Sequence, residues 1–129
     1  MGRNGSREAE RMKTTLSALV LALTVGALFL GLASGADVAK GKAAFQQYCA
    51  SCHGAAGKGD GAAAASLNPK PRDLSNKAYA GGLKDDYLIQ IVKGGGAAVK
   101  KSPLMPAMGN ALKEDQIKDV VAYLRSLAK

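Results

Sequence analysis

Two cysteines and the only histidine of the chain stand together as Cys49-Ala50-Ser51-Cys52-His53, and no other feature limits the fold as strongly. On a helical turn, residues three and four apart lie on one side. Both thiols can therefore reach one edge of a group beside that turn, while the imidazole, next in sequence, turns toward its centre. A zinc site needs four ligands, and no second histidine or third cysteine exists to complete it. Redox-active Cys-x-x-Cys pairs follow a strand in a βαβ setting, and no alternating apolar pattern precedes Cys49. As an ordinary surface histidine, His53 would leave the pattern unexplained. The remaining reading is covalent haem attachment in an exported chain, with thioethers at Cys49 and Cys52 and His53 on the iron.

Export is legible in the N-terminal segment. Arg3, Arg7, Arg11 and Lys13 precede an uncharged stretch from Thr14 to Ala36, which ends in Ser34-Gly35-Ala36. Small residues at those positions predict a signal peptide over 1–36, cut before Asp37. The competing reading is an uncleaved membrane anchor, because the run is nearly long enough to span. In either case residues 37–129 form the domain and lie outside the cytoplasm, in the periplasm. Their formal charge is +6 once the four basic residues above and Glu8 and Glu10 are set aside. Nucleic acid is a poor partner for an exported chain, so the basic balance points to acidic protein surfaces or to solubility.

Periodicity predicts three helices and no strands. The first covers about Val38 to Ser51, with Phe45 and Tyr48 at i, i+3. The second covers roughly Lys84–Lys93, with Asp85 and Asp86 at its positive end and Leu88, Ile91 and Val92 on one face. The third, Lys113–Ala128, carries Ile117, Val120, Val121, Leu124 and Leu127 on one stripe. It lacks a Ser, Thr, Asp or Asn cap unless Asn110 serves from an earlier start. Between the helices, Gly54–Arg72 and Gly94–Asn110 are rich in glycine and proline. Loops of that length in so small a domain need something to order them, and a central ligand would do so. The chain has only two Phe, four Tyr and no Trp, so its own core is marginal without one.

His53 is the sole histidine, which excludes a second imidazole from this chain on the iron. The soft ligands left after position 37 are Met105 and Met108, in Ser102-Pro-Leu-Met-Pro-Ala-Met-Gly109. A thioether raises the potential and keeps the iron six-coordinate, which suits electron transfer. At least one of the two packs as an ordinary gap-filler.

These features resemble the class I c-type cytochromes, especially the small bacterial monohaem members, over nearly all of 37–129. The resemblance rests on Cys49-x-x-Cys52-His53 after a short helix, Met105-Pro106-Ala107 before the last helix, and Val120-Val121-Ala122-Tyr123-Leu124-Arg125 within it. It implies an all-α cytochrome c fold: three main helices around one covalently bound haem c, with long irregular loops. The methionine before proline is the family's ligand, which favours Met105 over Met108. The family also crosses its first and last helices at a small residue, here Gly41 with Phe45 against Val120 and Tyr123. A proline carbonyl commonly accepts the other ring nitrogen of the haem histidine. Pro69 and Pro71 are the candidates, and Pro71 is preferred, although Leu74 departs from the usual Pro-x-Leu spacing.

The implied function is a non-enzymatic electron carrier between redox proteins, a reductase donor and an oxidase or reductase acceptor, with acidic docking surfaces. Lys58, Lys93, Lys100 and Lys101 are candidates to steer such partners, or are simply solvated. The alternative is a peroxidase-like haem enzyme or a gas-binding sensor, either of which needs an open sixth position on the iron. Gly54-Ala-Ala-Gly-Lys58 has the wrong glycine spacing for a phosphate loop and reads as a turn after the motif.

Overall fold

Asp37 starts the first helix. Its carboxylate accepts the N–H groups of Ala39 at 2.9 Å and Lys40 at 3.1 Å, two of the donors that a helix start leaves free. Helix α1 then runs Val38–Tyr48. The structure, a computed structural model, describes residues 35–129. Positions 1–34 of the expected signal peptide lie outside the described residues.

The helix expected to reach Ser51 is present in two pieces. Cys49 forms a turn after α1, its N–H donating to the Phe45 carbonyl at 2.8 Å, and a second helical turn, α2, covers Ala50–His53. Helix α4 spans Asp85–Gly94 and buries Leu88 and Val92. Helix α5 spans Glu114–Leu127 and buries Ile117, Val120, Val121, Tyr123 and Leu124. Asn110 does not cap it. Lys113 stands at the boundary, and the Gln116 side chain accepts its N–H at 3.0 Å. The loops hold more structure than periodicity predicts. Between α2 and α4 lie a 3-10 turn, Ala62–Ser66, and a short helix α3, Lys77–Ala80, capped by Asn76 through the Tyr79 N–H at 3.2 Å. A second 3-10 turn, Gly96–Val99, follows α4. Among the described residues there is no strand, and no helix is long and apolar enough to cross a membrane.

Helices α1 and α5 pack directly on one another, with backbones in contact. A β-carbon at Gly41 would overlap the Asp119 carbonyl, so only glycine permits this approach. The Asp37 N–H donates to the Asp119 carboxylate at 2.6 Å and ties the same two helices one turn away. Glycine inside a helix costs about 1 kcal/mol relative to alanine. Burial at the crossing offsets it, because Phe45, Ile117 and Val120 are each 1% exposed. Fully burying such a side chain contributes roughly 1.5–3 kcal/mol.

Arg125 secures the other end of α5. Its guanidinium donates to the Ala80 carbonyl at 2.8 Å, to the Leu83 carbonyl and to the Asp85 carboxylate at 2.7 Å through Nε. That arrangement fixes the loop leading into α4 and so sets where α4 begins.

Candidate functional site

The Cys-x-x-Cys-His segment folds as one helical turn, as its spacing predicts. The N–H groups of Cys52 and His53 both point at the Cys49 carbonyl, at 3.2 and 2.9 Å. Gly54 then leaves the helix at φ 80°, a conformation open to glycine, and its N–H closes the turn on Ala50 at 2.9 Å. The loop beyond folds back on the same turn. The Gly59 N–H donates to the His53 carbonyl at 2.8 Å, and the Ala55 carbonyl accepts from Gln46 Nε2 at 2.8 Å and from the Tyr123 hydroxyl at 3.5 Å. Both Gln46 on α1 and Tyr123 on α5 therefore pin the loop.

An aromatic wall stands behind the imidazole. The Phe45 ring lies 6.4 Å from the His53 ring, tilted 49°, and 5.3 Å from the Tyr123 ring, tilted 60°. Tilted aromatic pairs at such distances contribute about 0.5–1.5 kcal/mol beyond burial. The α1–α5 crossing thus builds the surface on which His53 rests.

Burial sets the protonation of two of these groups. Burial lowers the His53 pKa from its ordinary 6.5, which keeps the imidazole neutral and its nitrogen available at neutral pH. Burial, and then the neighbouring Cys52, push the Cys49 thiol up to about 11. No cluster of three or more His, Cys, Asp or Glu that could hold a bare metal ion occurs among the described residues. His53 Nδ1 is buried and has no hydrogen-bond partner. A buried orphan of this kind is costly, and in a ligand histidine it is the atom that an outer carbonyl or carboxylate normally takes. The two thiols and the neutral imidazole on one turn fit a covalently held haem.

Pro71 is half-buried and Pro69 exposed. The Pro71 carbonyl lies against Gly59, the residue whose N–H holds the His53 carbonyl. The structure therefore brings Pro71 to the His53 side of the domain, with no bond drawn to Nδ1.

The two methionines separate clearly. Met108 packs against the core cluster of Phe45, Val92, Leu112, Ile117, Val120, Tyr123 and Leu124. Its N–H donates to the Val92 carbonyl at 2.9 Å, and its carbonyl accepts from Ala111 and Leu112. Met105 stands outside that cluster, half-buried, between exposed Leu104 and exposed Pro106.

The lysines separate as well. Lys93 pairs with Glu114 at 3.9 Å. Asp73, held below its ordinary pKa chiefly by the Ser75 hydroxyl and N–H, also feels the charge of Lys58. Lys100 and Lys101 make no ion pair among the described residues. Lys100 adopts φ 57°, the only positive φ at a non-glycine residue among those described.

Sequence reasoning missed the Gln46 and Tyr123 bonds to Ala55, which depend on a loop path that periodicity cannot show. It also missed Arg125, for which a signal existed: Arg125 lies one helical turn beyond buried Val121, on the apolar side of α5.

Comparison with known proteins gives the family. Residues 38–128 match the family model for Cytochrome c. The chain is 31% identical over 114 residues to cytochrome c6 of a Synechococcus species, spanning 88% of this chain and 91% of that protein. It is 33% identical over 93 residues to the Cbb3-type cytochrome c oxidase subunit FixP of Bradyrhizobium diazoefficiens, covering 72% of this chain and only 28% of that subunit. Among solved structures, a chain of the Kuenenia stuttgartiensis reducing HAO-like protein complex matches with a TM-score of 0.58 at 24% identity, over 71% of this chain and 44% of that one. At that identity the likeness is one of fold.

Proposed function

The chain belongs to the cytochrome c family, and from that premise we propose that it is a monohaem carrier of single electrons, with His53 and Met105 as the axial ligands. Family membership brings covalently bound haem c, for which Cys49 and Cys52 are the matching thiols. When bound, the group supplies the one-electron Fe(III)/Fe(II) couple.

The chain's own residues do the rest. Cys49 and Cys52 tether the group. His53, neutral and backed by Phe45, provides a nitrogen that serves both oxidation states. The Pro71 carbonyl is the proposed acceptor for His53 Nδ1–H, which would fix the ring's orientation and raise its basicity. Met105 offers a thioether, which raises the potential and closes the sixth position. The observation that carries this reading is the division between the methionines: Met108 is committed to the core, whereas half-buried Met105 stands outside it. The only histidine of the chain is spent on the first axial position, so no distal histidine remains for peroxidase-like acid–base work.

The proposed partners are redox proteins with acidic surfaces, approached through the uncompensated Lys100 and Lys101. The proposed location is the periplasm, after export directed by residues 1–36, and N-terminal mass analysis of the exported protein distinguishes cleavage before Asp37 from a retained anchor. The carrier reading is tested by mixing the reduced haem-loaded protein with carbon monoxide. A closed sixth position predicts no rapid change in the spectrum. Fast, stoichiometric binding would show an open position and favour an enzyme or gas sensor.

A further inference from the structure

The end of α4 runs Lys93-Gly94-Gly95-Gly96, and three adjacent glycines at a helix terminus exceed what ending a helix requires. Their surroundings account for two of them. The Gly96 N–H donates to the Met105 carbonyl at 3.0 Å, and the Gly96 carbonyl accepts from the Lys101 N–H at 2.8 Å. Just before them, the carbonyls of Val92 and Lys93 accept from the N–H groups of Met108 and Gly109, at 2.9 and 3.0 Å. The last turn of α4 and its exit thus grip the methionine segment on both sides of Pro106.

The fit leaves no room for side chains. A β-carbon on Gly95 would stand 2.7 Å from the Met105 carbonyl oxygen, 2.9 Å from Ala107 N and 3.0 Å from the Pro106 carbonyl carbon. Gly95 also holds φ 76° with ψ 178°, a region essentially reserved for glycine. A β-carbon on Gly96 would overlap the Ser102 carbonyl oxygen and meet the Met105 β-carbon at 3.4 Å. Gly82 has room by contrast: a β-carbon there would come no closer than 3.8 Å, to the Tyr79 carbonyl oxygen, and would meet nothing in the methionine segment.

We infer that Gly95 and Gly96 are positioning residues for Met105, forming a backbone cradle that sets where the sixth-position thioether stands. This rests on the reading of Met105 as the ligand. A methyl group added at either glycine must push the segment outward. Metal-site geometry tolerates displacements of only about 0.5 Å, so the thioether is lost from the iron before the helices are disturbed.

The test uses the full haem-loaded chain with Gly95→Ala, Gly96→Ala and, as control, Gly82→Ala. In the first two, the far-red sulfur-to-iron band of the oxidised protein fades and the midpoint potential falls. Added imidazole binds them about tenfold more tightly than wild type, because the site is no longer filled by its own ligand. Haem attachment and the far-ultraviolet helical signal persist. Gly82→Ala keeps the band, the potential and the weak imidazole binding. A Gly96→Ala protein with the band and imidazole affinity of wild type overturns the proposal.

If Gly96→Ala fails to accumulate, amide exchange in Met105→Ala decides the matter. Coupling between cradle and ligand predicts that the Gly96 N–H exchanges about tenfold or more faster there than in wild type, with Val120 and Val121 unchanged. Unchanged exchange at Gly96 overturns the proposal. Should Met105→Ala itself retain the far-red band, the ligand assignment fails, and the cradle has no ligand to position.

Discussion

Gly41 of α1 and Asp119 of α5 meet backbone to backbone, closely enough that a β-carbon on the glycine would overlap the Asp119 carbonyl. This contact places Phe45 one turn further along, against Tyr123 and behind the His53 ring. The crossing therefore determines the back of the haem site as well as the core. Gly41→Ala gains about 1 kcal/mol of helix propensity. Overpacking costs roughly 1–3 kcal/mol and here acts on backbone, which cannot rotate away. The variant is expected to be less stable than wild type in chemical denaturation, and equal or greater stability would contradict the packing described.

Arg125 is the second point of leverage. Arg125→Ala leaves the Ala80 and Leu83 carbonyls and the Asp85 carboxylate without their donor. A loss of about 1–3 kcal/mol follows for partly buried acceptors. Asp85→Asn removes only an exposed ion-pair partner, worth about 0–1 kcal/mol. Hydrogen exchange separates the two: the Leu88 amide, which donates to the Lys84 carbonyl at 3.1 Å at the start of α4, becomes labile in Arg125→Ala and stays protected in Asp85→Asn.

Lys100 holds a left-handed conformation that glycine adopts freely. Lys100→Gly is expected to remove strain of roughly 1–2 kcal/mol, partly offset by the greater chain entropy of glycine. The same change removes a charge that no ion pair compensates among the described residues. The prediction is a protein no less stable than wild type that reduces more slowly with an anionic reagent such as hexacyanoferrate(II), with a weaker dependence on salt. Lys93→Ala, already paired with Glu114, should change that rate less. Equal rates in both variants would place the docking surface elsewhere.

The Asp37 carboxylate is held below its ordinary 3.8, first by the Lys40 N–H, with burial opposing and the Ala39 N–H assisting. A depressed pKa means that the folded state binds its proton less readily than the unfolded chain. The stability it contributes is present above pH 3.8 and is lost as pH falls through the lower folded value. Asp37→Asn keeps a capping side chain. It should match wild type near neutrality and show a shallower loss of stability in acid denaturation below pH 4.

Much of this was legible in the sequence because it rests on local spacing. The thiols and imidazole on one turn, the stripe of α5 and the acidic start of α4 follow from helical geometry alone. The break at Cys49 was not legible, since nothing in Tyr48-Cys49-Ala50 opposes a helix. The resemblance set Gly41 at the crossing against Val120 and Tyr123, and the structure adds the Asp119 carbonyl that its backbone meets. Gly95 and Gly96 read only as part of a glycine-rich loop in need of ordering, and their constraint comes from a segment ten residues later. Met105 and Met108 could be told apart only by resemblance, because both are soft ligands in the same loop. Packing separates them, and no local pattern reports packing.

The most direct measurement is the far-red sulfur-to-iron band of the oxidised protein, recorded for wild type, Met105→Ala and Met108→Ala. The band is expected in wild type, absent in Met105→Ala and retained in Met108→Ala, where only core packing is lost. A band that survives in Met105→Ala and vanishes in Met108→Ala would reassign the ligand. A wild-type protein with high-spin iron and no such band would contradict the carrier itself.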